Sequence, residues 1–318
     1  MSALRVSAPV AAALAAGRPV VALESSVLAQ GLPIPANREA AEGMTAGVTL
    51  AGALPAITAV VRGEGARARG TAALGLTPEE LERFLARDGV EKVAARDLAA
   101  ACVRNADGAT TVAASLCIAS AAGVRVFATG GIGGVHRDAP FDESADLLEL
   151  SRSPLVVVCA GAKSILDLPA TLERLDTLGV TIVGYRTDEL PGFFTRTTGL
   201  RLGTRVESAT EVAEIYRMSV SLGRPGAVLV VQAPPEDVAL PQAMIDGAVA
   251  SALAQARAGG VRGAAVTPFL LGAVLAATEG RSLRANLGLL AANAQLAGGI
   301  AVALAAGAPI SAKHADSR

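Results

Sequence analysis

Lysine is nearly missing from this sequence: three residues, at positions 92, 163 and 313, stand against 25 arginines. A drift toward arginine accounts for most of that. Guanidinium stays protonated, so arginine cannot replace lysine where a neutral amine must attack carbon. The lysines that persist are therefore candidates for chemistry. Lys313 sits in a polar tail, which leaves Lys92 and Lys163. Two histidines and no tryptophan exclude a histidine-cluster metal site by count. The three cysteines, Cys102, Cys117 and Cys159, are odd in number and share no metal-ligand spacing. They read as small buried thiols of a reducing compartment, the cytoplasm. A net charge of −1 leaves no strongly basic face for nucleic acid or for a membrane surface.

What is present is apolar. Hydrophobic residues make up 52% of the 318 and charged residues 18%, enough to order the whole chain. The N-terminus does not read as a signal peptide, because Arg18 closes a weak alanine stretch and a strand follows directly. Two stretches lack charge over membrane-like lengths, Gly43 to Val61 and Ala285 to Ala312. Both are rich in Ala and Gly and carry proline and polar side chains, so they read as buried core helices.

Short apolar runs at Pro19–Leu23, Ile57–Val61, Val124–Ala128, Leu155–Cys159, Thr181–Val183 and Ala227–Val231 lack polar alternation, as strands covered on both faces do. Helical segments separate them. Thr77-Pro78-Glu79-Glu80 carries a capping box with proline at the first helical position. Thr110–Ala122 is a small-residue helix closed by Gly123. Ser144–Leu150, Ala170–Leu178, Ala209–Ser219 and Gln242–Ala256 are further helices, and the chain beyond Gln242 is almost wholly helical in pattern. The expectation is one α/β domain over 1–318, with a lead-in over 1–17 and a polar tail over 307–318. It has a mostly parallel, doubly covered sheet and a largely helical C-terminal third.

Polar groups follow three strands at their C-terminal ends, where α/β proteins place their sites. Glu24, Ser25 and Ser26 follow the first; Thr129 and a run of glycines ending in His136-Arg137 follow the second; Lys163 and Ser164 follow the third. The run Gly130-Gly131-Ile132-Gly133-Gly134 lacks the third glycine, the helix start and the acidic partner of a dinucleotide loop. It reads instead as a loop whose backbone comes close to a small ligand, or as a tight turn. Glu24 is either a helix cap or an acid that holds a proton. Lys163 is either a surface-reaching lysine or a Schiff-base nucleophile. Asp142, Ser144 and Asp146 are either the start of a surface helix or oxygen ligands for a hard divalent cation.

Six stretches together resemble the pseudouridine-5′-phosphate glycosidase (pseudouridylate synthase) family: ALESS (22–26) with GLPIPAN (31–37), GATTVAASL (108–116), FATGGIGGVHR (127–137), FDESADLLEL (141–150) and VVCAGAKSILDL (157–168). The resemblance runs from about residue 18 to about residue 306. It implies reversible cleavage of pseudouridine 5′-phosphate to uracil and ribose 5-phosphate by a homotrimeric α/β enzyme with a divalent metal, Mn²⁺. The bond to be cut joins two carbons, so there is no leaving heteroatom to protonate. Opening the ribose ring and letting an amine take C1′ supplies an imine as electron sink while C5 of uracil leaves. By the resemblance, Lys163 is the nucleophile, Glu24 the proton donor and Asp142 the metal ligand. Ser144, Ala145 and Asp146 line the substrate, and Lys92 and Val112 contact it. Lys92 suits the phosphate, with His136 as helper. Thr129 and Asn286 fall in the uracil pocket, Asn286 being preferred to Asn293.

Departures from the family pattern are few. Ser26 stands where threonine is usual, Ala94-Ala95 replace a serine and an arginine, and the segment between His136 and Phe141 is short. The alternative reading is another Schiff-base lyase or aldolase acting on a phosphosugar. A sugar kinase is disfavoured because Gly288 and Gly298-Gly299 lack the aspartate of an anion-hole motif.

Overall fold

The computed structural model describes residues 3–65, 68–137, 141–261 and 266–307. Among them are eleven strands: β1 (Leu4–Val6), β2 (Val20–Leu23), β3 (Leu54–Val61), β4 (Thr71–Leu74), β5 (Val90–Val93), β6 (Asp107–Thr110), β7 (Val126–Ala128), β8 (Val156–Cys159), β9 (Thr181–Tyr185), β10 (Arg205–Val206) and β11 (Val228–Gln232). The helices are α1 (Ala8–Ala15), α2 (Ala36–Leu50), α3 (Pro78–Ala86), α4 (Leu98–Arg104), α5 (Val112–Ala121), α6 (Ala145–Leu150), α7 (Leu168–Thr177), α8 (Ala209–Ser221), α9 (Gln242–Ala258), α10 (Val266–Ala277) and α11 (Arg281–Ala306).

The sheet runs β1-β4-β3-β2-β7-β8-β11-β9-β10, with β6 also on β3 and β5 on β6. All pairings are parallel except β3 with β4 and β3 with β6. The eight-residue β3 causes that exception. Leu54–Ile57 pairs with β2, and Thr58–Val61 continues past it to pair with β4. The central strands β2, β7 and β8 are buried along their whole length, which is why they are apolar without alternation.

The six strands expected from apolar runs are all present. Of the others, Thr71–Leu74 (TAAL) and Asp107–Thr110 (DGAT) escaped because their residues are not strand-like, and Leu4–Val6, Val90–Val93 and Arg205–Val206 because they are short and partly exposed. The charge-free stretch from Gly43 to Val61 is not one helix, as expected, but the end of α2 and the whole of β3. The capping box at Thr77 forms as read, with Glu80 N–H on the threonine hydroxyl at 3.2 Å and Thr77 N–H on the Glu80 carboxylate at 2.9 Å.

The helix α11 is long and apolar enough to cross a membrane, yet it is a core helix. Ala285, Leu289, Ala297, Ile300 and Leu304 are buried along one side. Small residues let it lie directly on α2: a Cβ at Gly47 would stand 2.8 Å from the Ala291 carbonyl, and one at Gly298 2.6 Å from Ala51 Cβ. Lys313 and the rest of the polar tail lie outside the described residues.

All three cysteines are free, but only Cys159 is buried; Cys102 and Cys117 are half-buried, a correction to the expectation of three buried thiols. Burial pushes the Cys159 thiol up to about 12. The Cys117 thiol is raised to about 12 as well, by burial first and then by its bond to Glu149, so both are poor nucleophiles.

Candidate active site

The site forms at the C-terminal ends of β2, β6, β7 and β8. The chain leaves β2 at Glu24 and turns into a π-helical turn at Val27–Gly31. A buried hydroxyl cluster fixes that exit. Thr58 lies 2.8 Å from both Thr110 and Ser115, and Ser25 accepts the Thr110 N–H at 2.9 Å. The cluster joins the ends of β2 and β6 to the middle of β3 and so ties the strand end that carries Glu24 to α5.

Glu24 is 4% exposed. One carboxylate oxygen accepts the Ser26 hydroxyl at 2.6 Å, and the other accepts the hydroxyl of Thr129 at the end of β7. Lys163 is held by its backbone, whose N–H donates to the Ile132 carbonyl at 3.1 Å and whose carbonyl accepts from Leu166. Its amine has no hydrogen-bond or ion-pair partner among the described residues. Lys92 reaches in from β5. The side chain is exposed along part of its length, yet loss of water around its amine in the cleft holds the ammonium below the ordinary range, and the charge of Lys163 adds to the effect.

Glu24, Ser26, Lys92 and Lys163 are shared by two chambers of one cleft. The smaller, with about 580 Å³ of empty space, is walled by Gln30, Gly130, Gly131, Phe193, Leu271 and Asn286. The larger, about 1300 Å³, is walled by Arg96, Val112, His136, Asp142, Ser144, Ala145 and Asp146. Thr129 stands behind Glu24. The structure thus brings together every candidate residue named from the sequence.

Individual assignments differ in detail. Asp146 is 5% exposed, and its two oxygens accept the N–H groups of Ala113 at 2.9 Å and Gly133 at 2.8 Å. It pins the start of α5 to the glycine loop. Ser144 caps α6 by accepting from Asp146 N–H at 3.2 Å. The glycines of that loop come close both to the protein and to the cleft, Gly130 and Gly131 lining the smaller chamber and Gly133 the larger. A Cβ on Gly131 would lie 2.6 Å from the Phe193 ring, and one on Gly133 2.2 Å from Ser144 Oγ. Asn293 donates to the carbonyls of Thr129 and Gly130 at 2.9 and 3.3 Å, so it is a brace for the loop. Asn286, one of the cleft walls, keeps its Oδ1 buried and without a partner among the described residues.

The residues fit a single-carboxylate cation site at most. Asp142 is exposed to the larger chamber, and its carboxylate has no partner among the described residues. Glu143 is taken by Arg174 at 2.8 Å, and no group of three His, Cys, Asp or Glu side chains converges among the described residues. An exposed carboxylate with water and substrate oxygens suits a hard divalent ion that keeps most of its hydration.

Gln30, Phe193 and Arg96 were not singled out from the sequence. Phe193-Phe194 is the one adjacent aromatic pair in a chain with 3% aromatics, a signal that was there to be read. Phe193 takes a positive φ of 66°, and its ring lies tilted at 56° to that of Phe194 with centroids 4.5 Å apart, forming the wall against Gly131. Gln30 and Arg96 carry no such signal.

The profile of the indigoidine synthase A-like protein family matches residues 9–303. A pseudouridine-5′-phosphate glycosidase of Gemmatimonas aurantiaca is 61% identical over 305 residues, 96% of this chain and 97% of the relative. Its namesake in Herpetosiphon aurantiacus is 49% identical over 96% of this chain and 99% of the relative. Among solved structures, the prealnumycin C-glycosynthase AlnA in complex with ribulose 5-phosphate superposes with a TM-score of 0.87 at 39% identity, over 95% of this chain and 97% of that one. An indigoidine synthase A-like protein of Thermotoga maritima gives 0.83 at 36% identity, over 91% and 94%. With a β2–β7–β8 cleft of this make-up and relatives matched over nearly its full length, the chain belongs to the indigoidine synthase A-like family, that of the pseudouridine-5′-phosphate glycosidases.

Proposed function

We propose that the protein cleaves the bond between ribose C1′ and uracil C5 of pseudouridine 5′-phosphate, reversibly, giving uracil and ribose 5-phosphate in the breakdown of pseudouridine. The observation that carries this reading is that Lys163, whose amine has no partner among the described residues, and Glu24, a buried carboxyl group, open on the same cleft between two chambers. One chamber suits a flat ring and the other a phosphosugar.

Glu24 gives a proton to the ring oxygen O4′ as the C1′–O4′ bond breaks, and the uracil ring supplies electrons for a double bond from C5 to C1′. The neutral Lys163 amine adds to C1′ and returns those electrons to the ring. C5 then takes the proton that the added amine sheds, and the C1′–C5 bond breaks as the lysine nitrogen forms an imine with C1′. Water adds to the imine, frees ribose 5-phosphate and restores the amine, so the net reaction consumes one water.

Lys92 pairs with the 5′-phosphate as a compact charge, with His136 beside it in the larger chamber. Val112, Ser144 and Ala145 form the wall against the sugar. Asp146 shapes that wall through Ala113 and Gly133. Thr129 orients Glu24, and Asn286 faces the uracil. Asp142 would hold Mn²⁺ or another divalent cation, which neutralises negative charge on the substrate. The family resemblance extends this reading to a homotrimer in the cytoplasm.

A second reading, another Schiff-base lyase on a different phosphosugar, is favoured by the ribulose 5-phosphate named in the complex of the structural relative. It keeps Lys163 and changes the departing group. Loss of pseudouridine 5′-phosphate with stoichiometric appearance of uracil, followed by chromatography with Mn²⁺ present, tests the first reading; turnover of phosphosugars without uracil supports the second.

A further inference from the structure

Two amide oxygens at the smaller chamber have no donor among the described residues. Gln30 lines that chamber, and its Oε1 is buried and unpartnered. The other end of the amide is committed: Nε2 donates to the Val90 carbonyl of β5 at 3.3 Å. That bond settles which end remains for a ligand, since an amide turned about would set oxygen against oxygen. Asn286 lines the same chamber from α11, and its Oδ1 is likewise buried and unpartnered, lying against Gly130. Buried acceptors without donors are uncommon in folded proteins and call for a donor that the protein itself does not supply.

A uracil joined to ribose through C5 carries two ring N–H donors, at N1 and N3. A uracil joined through N1, as in uridine 5′-phosphate, carries one. We infer that Gln30 and Asn286 are the paired acceptors for the two ring N–H groups of a C5-linked uracil, which makes Gln30 a specificity-determining residue. An N1-linked nucleotide leaves one of the two oxygens buried and unpaired. A site built to bond an N–H rejects the analogue that lacks it far more strongly than an apolar pocket rejects a change of shape. The pair therefore selects for the carbon-linked nucleotide before any bond is broken. This inference rests on the reading of the cleft as a pseudouridine 5′-phosphate site.

The test compares pseudouridine 5′-phosphate with its N1-methyl and N3-methyl derivatives, each of which removes one donor. In the wild-type protein each methylation is expected to lower kcat/KM by about 100-fold or more. In Gln30→Leu, which removes the acceptor without opening much space, the parent substrate falls by about 100-fold, and discrimination against one of the two methyl isomers collapses while the other keeps its penalty. Calorimetric binding of uracil, 1-methyluracil and 3-methyluracil to the same proteins reads the amide pair without turnover. If the wild-type protein binds the three bases in this order of preference but cleaves no nucleotide, the proposed reaction fails and the acceptor pair stands. If neither methyl group matters to the wild-type protein, or if Gln30→Leu keeps both penalties in full, the inference is overturned.

Discussion

The hydroxyl of Thr129 is bonded to the carboxylate of Glu24 across the ends of β7 and β2, two neighbouring parallel strands. The partner oxygen of that carboxylate is held by Ser26 at 2.6 Å. A group that must deliver a proton to one substrate atom is thereby fixed in direction from both sides. Thr129→Val is expected to lower kcat about 10-fold or more with little change in KM, and Thr129→Ser to restore it. Steady-state kinetics on the two variants check this; an equal loss in both would contradict it.

Lys163 has no charge partner among the described residues, so its replacement removes chemistry more than stability. Lys163→Arg is expected to leave the melting temperature within a few degrees and to abolish turnover, at least about 1000-fold, because guanidinium cannot form the imine. Thermal denaturation alongside uracil release checks both halves.

Lys92 is held below the ordinary 10.5 by burial and then by Lys163. In the window between its lowered value and 10.5 the unfolded chain binds more protons than the folded one, so stability rises with pH through that window. Below the window the cost of crowding the charge is fully present, though reduced by the water that reaches this exposed side chain. Lys92→Met is therefore expected to raise the melting temperature at neutral pH, with a gain that fades as pH climbs through the window. It is also expected to raise KM for the phosphorylated substrate about 10-fold or more. Melting curves across pH and a KM determination check the two signs.

Asp146 accepts two backbone N–H groups, and asparagine has only one acceptor oxygen, so its NH₂ would face a donor. Asp146→Asn is expected to cost about 1–3 kcal/mol, a drop of a few degrees in melting temperature for a chain of this size. Denaturant titration with an unchanged m-value checks it.

The sequence made the strand ends legible because β2, β7 and β8 are buried on both faces and so are continuously apolar. Glu24, Thr129 and Lys163 stood out as polar residues directly after them. The scarcity of lysine isolated Lys163 and Lys92 for a chemical reason, independent of any resemblance. The short strands β4 and β6 were not legible, because all their residues but Leu74 are alanine, glycine, threonine or aspartate and their pairing depends on the passing β3. Nor was the work of Asp146, whose partners are backbone N–H groups on α5 and on the glycine loop. Gln30 and Arg96 reach the cleft only through the fold, and the close approaches of the glycines to Phe193, Ser144 and Thr171 are tertiary facts.

The most direct test of the central claim is borohydride reduction during turnover of pseudouridine 5′-phosphate with Mn²⁺, read by intact mass and peptide mapping. The account predicts a ribose-phosphate adduct on Lys163, absent from Lys163→Arg, together with free uracil. Release of uracil with no adduct on Lys163, or an adduct on Lys92 instead, would contradict it.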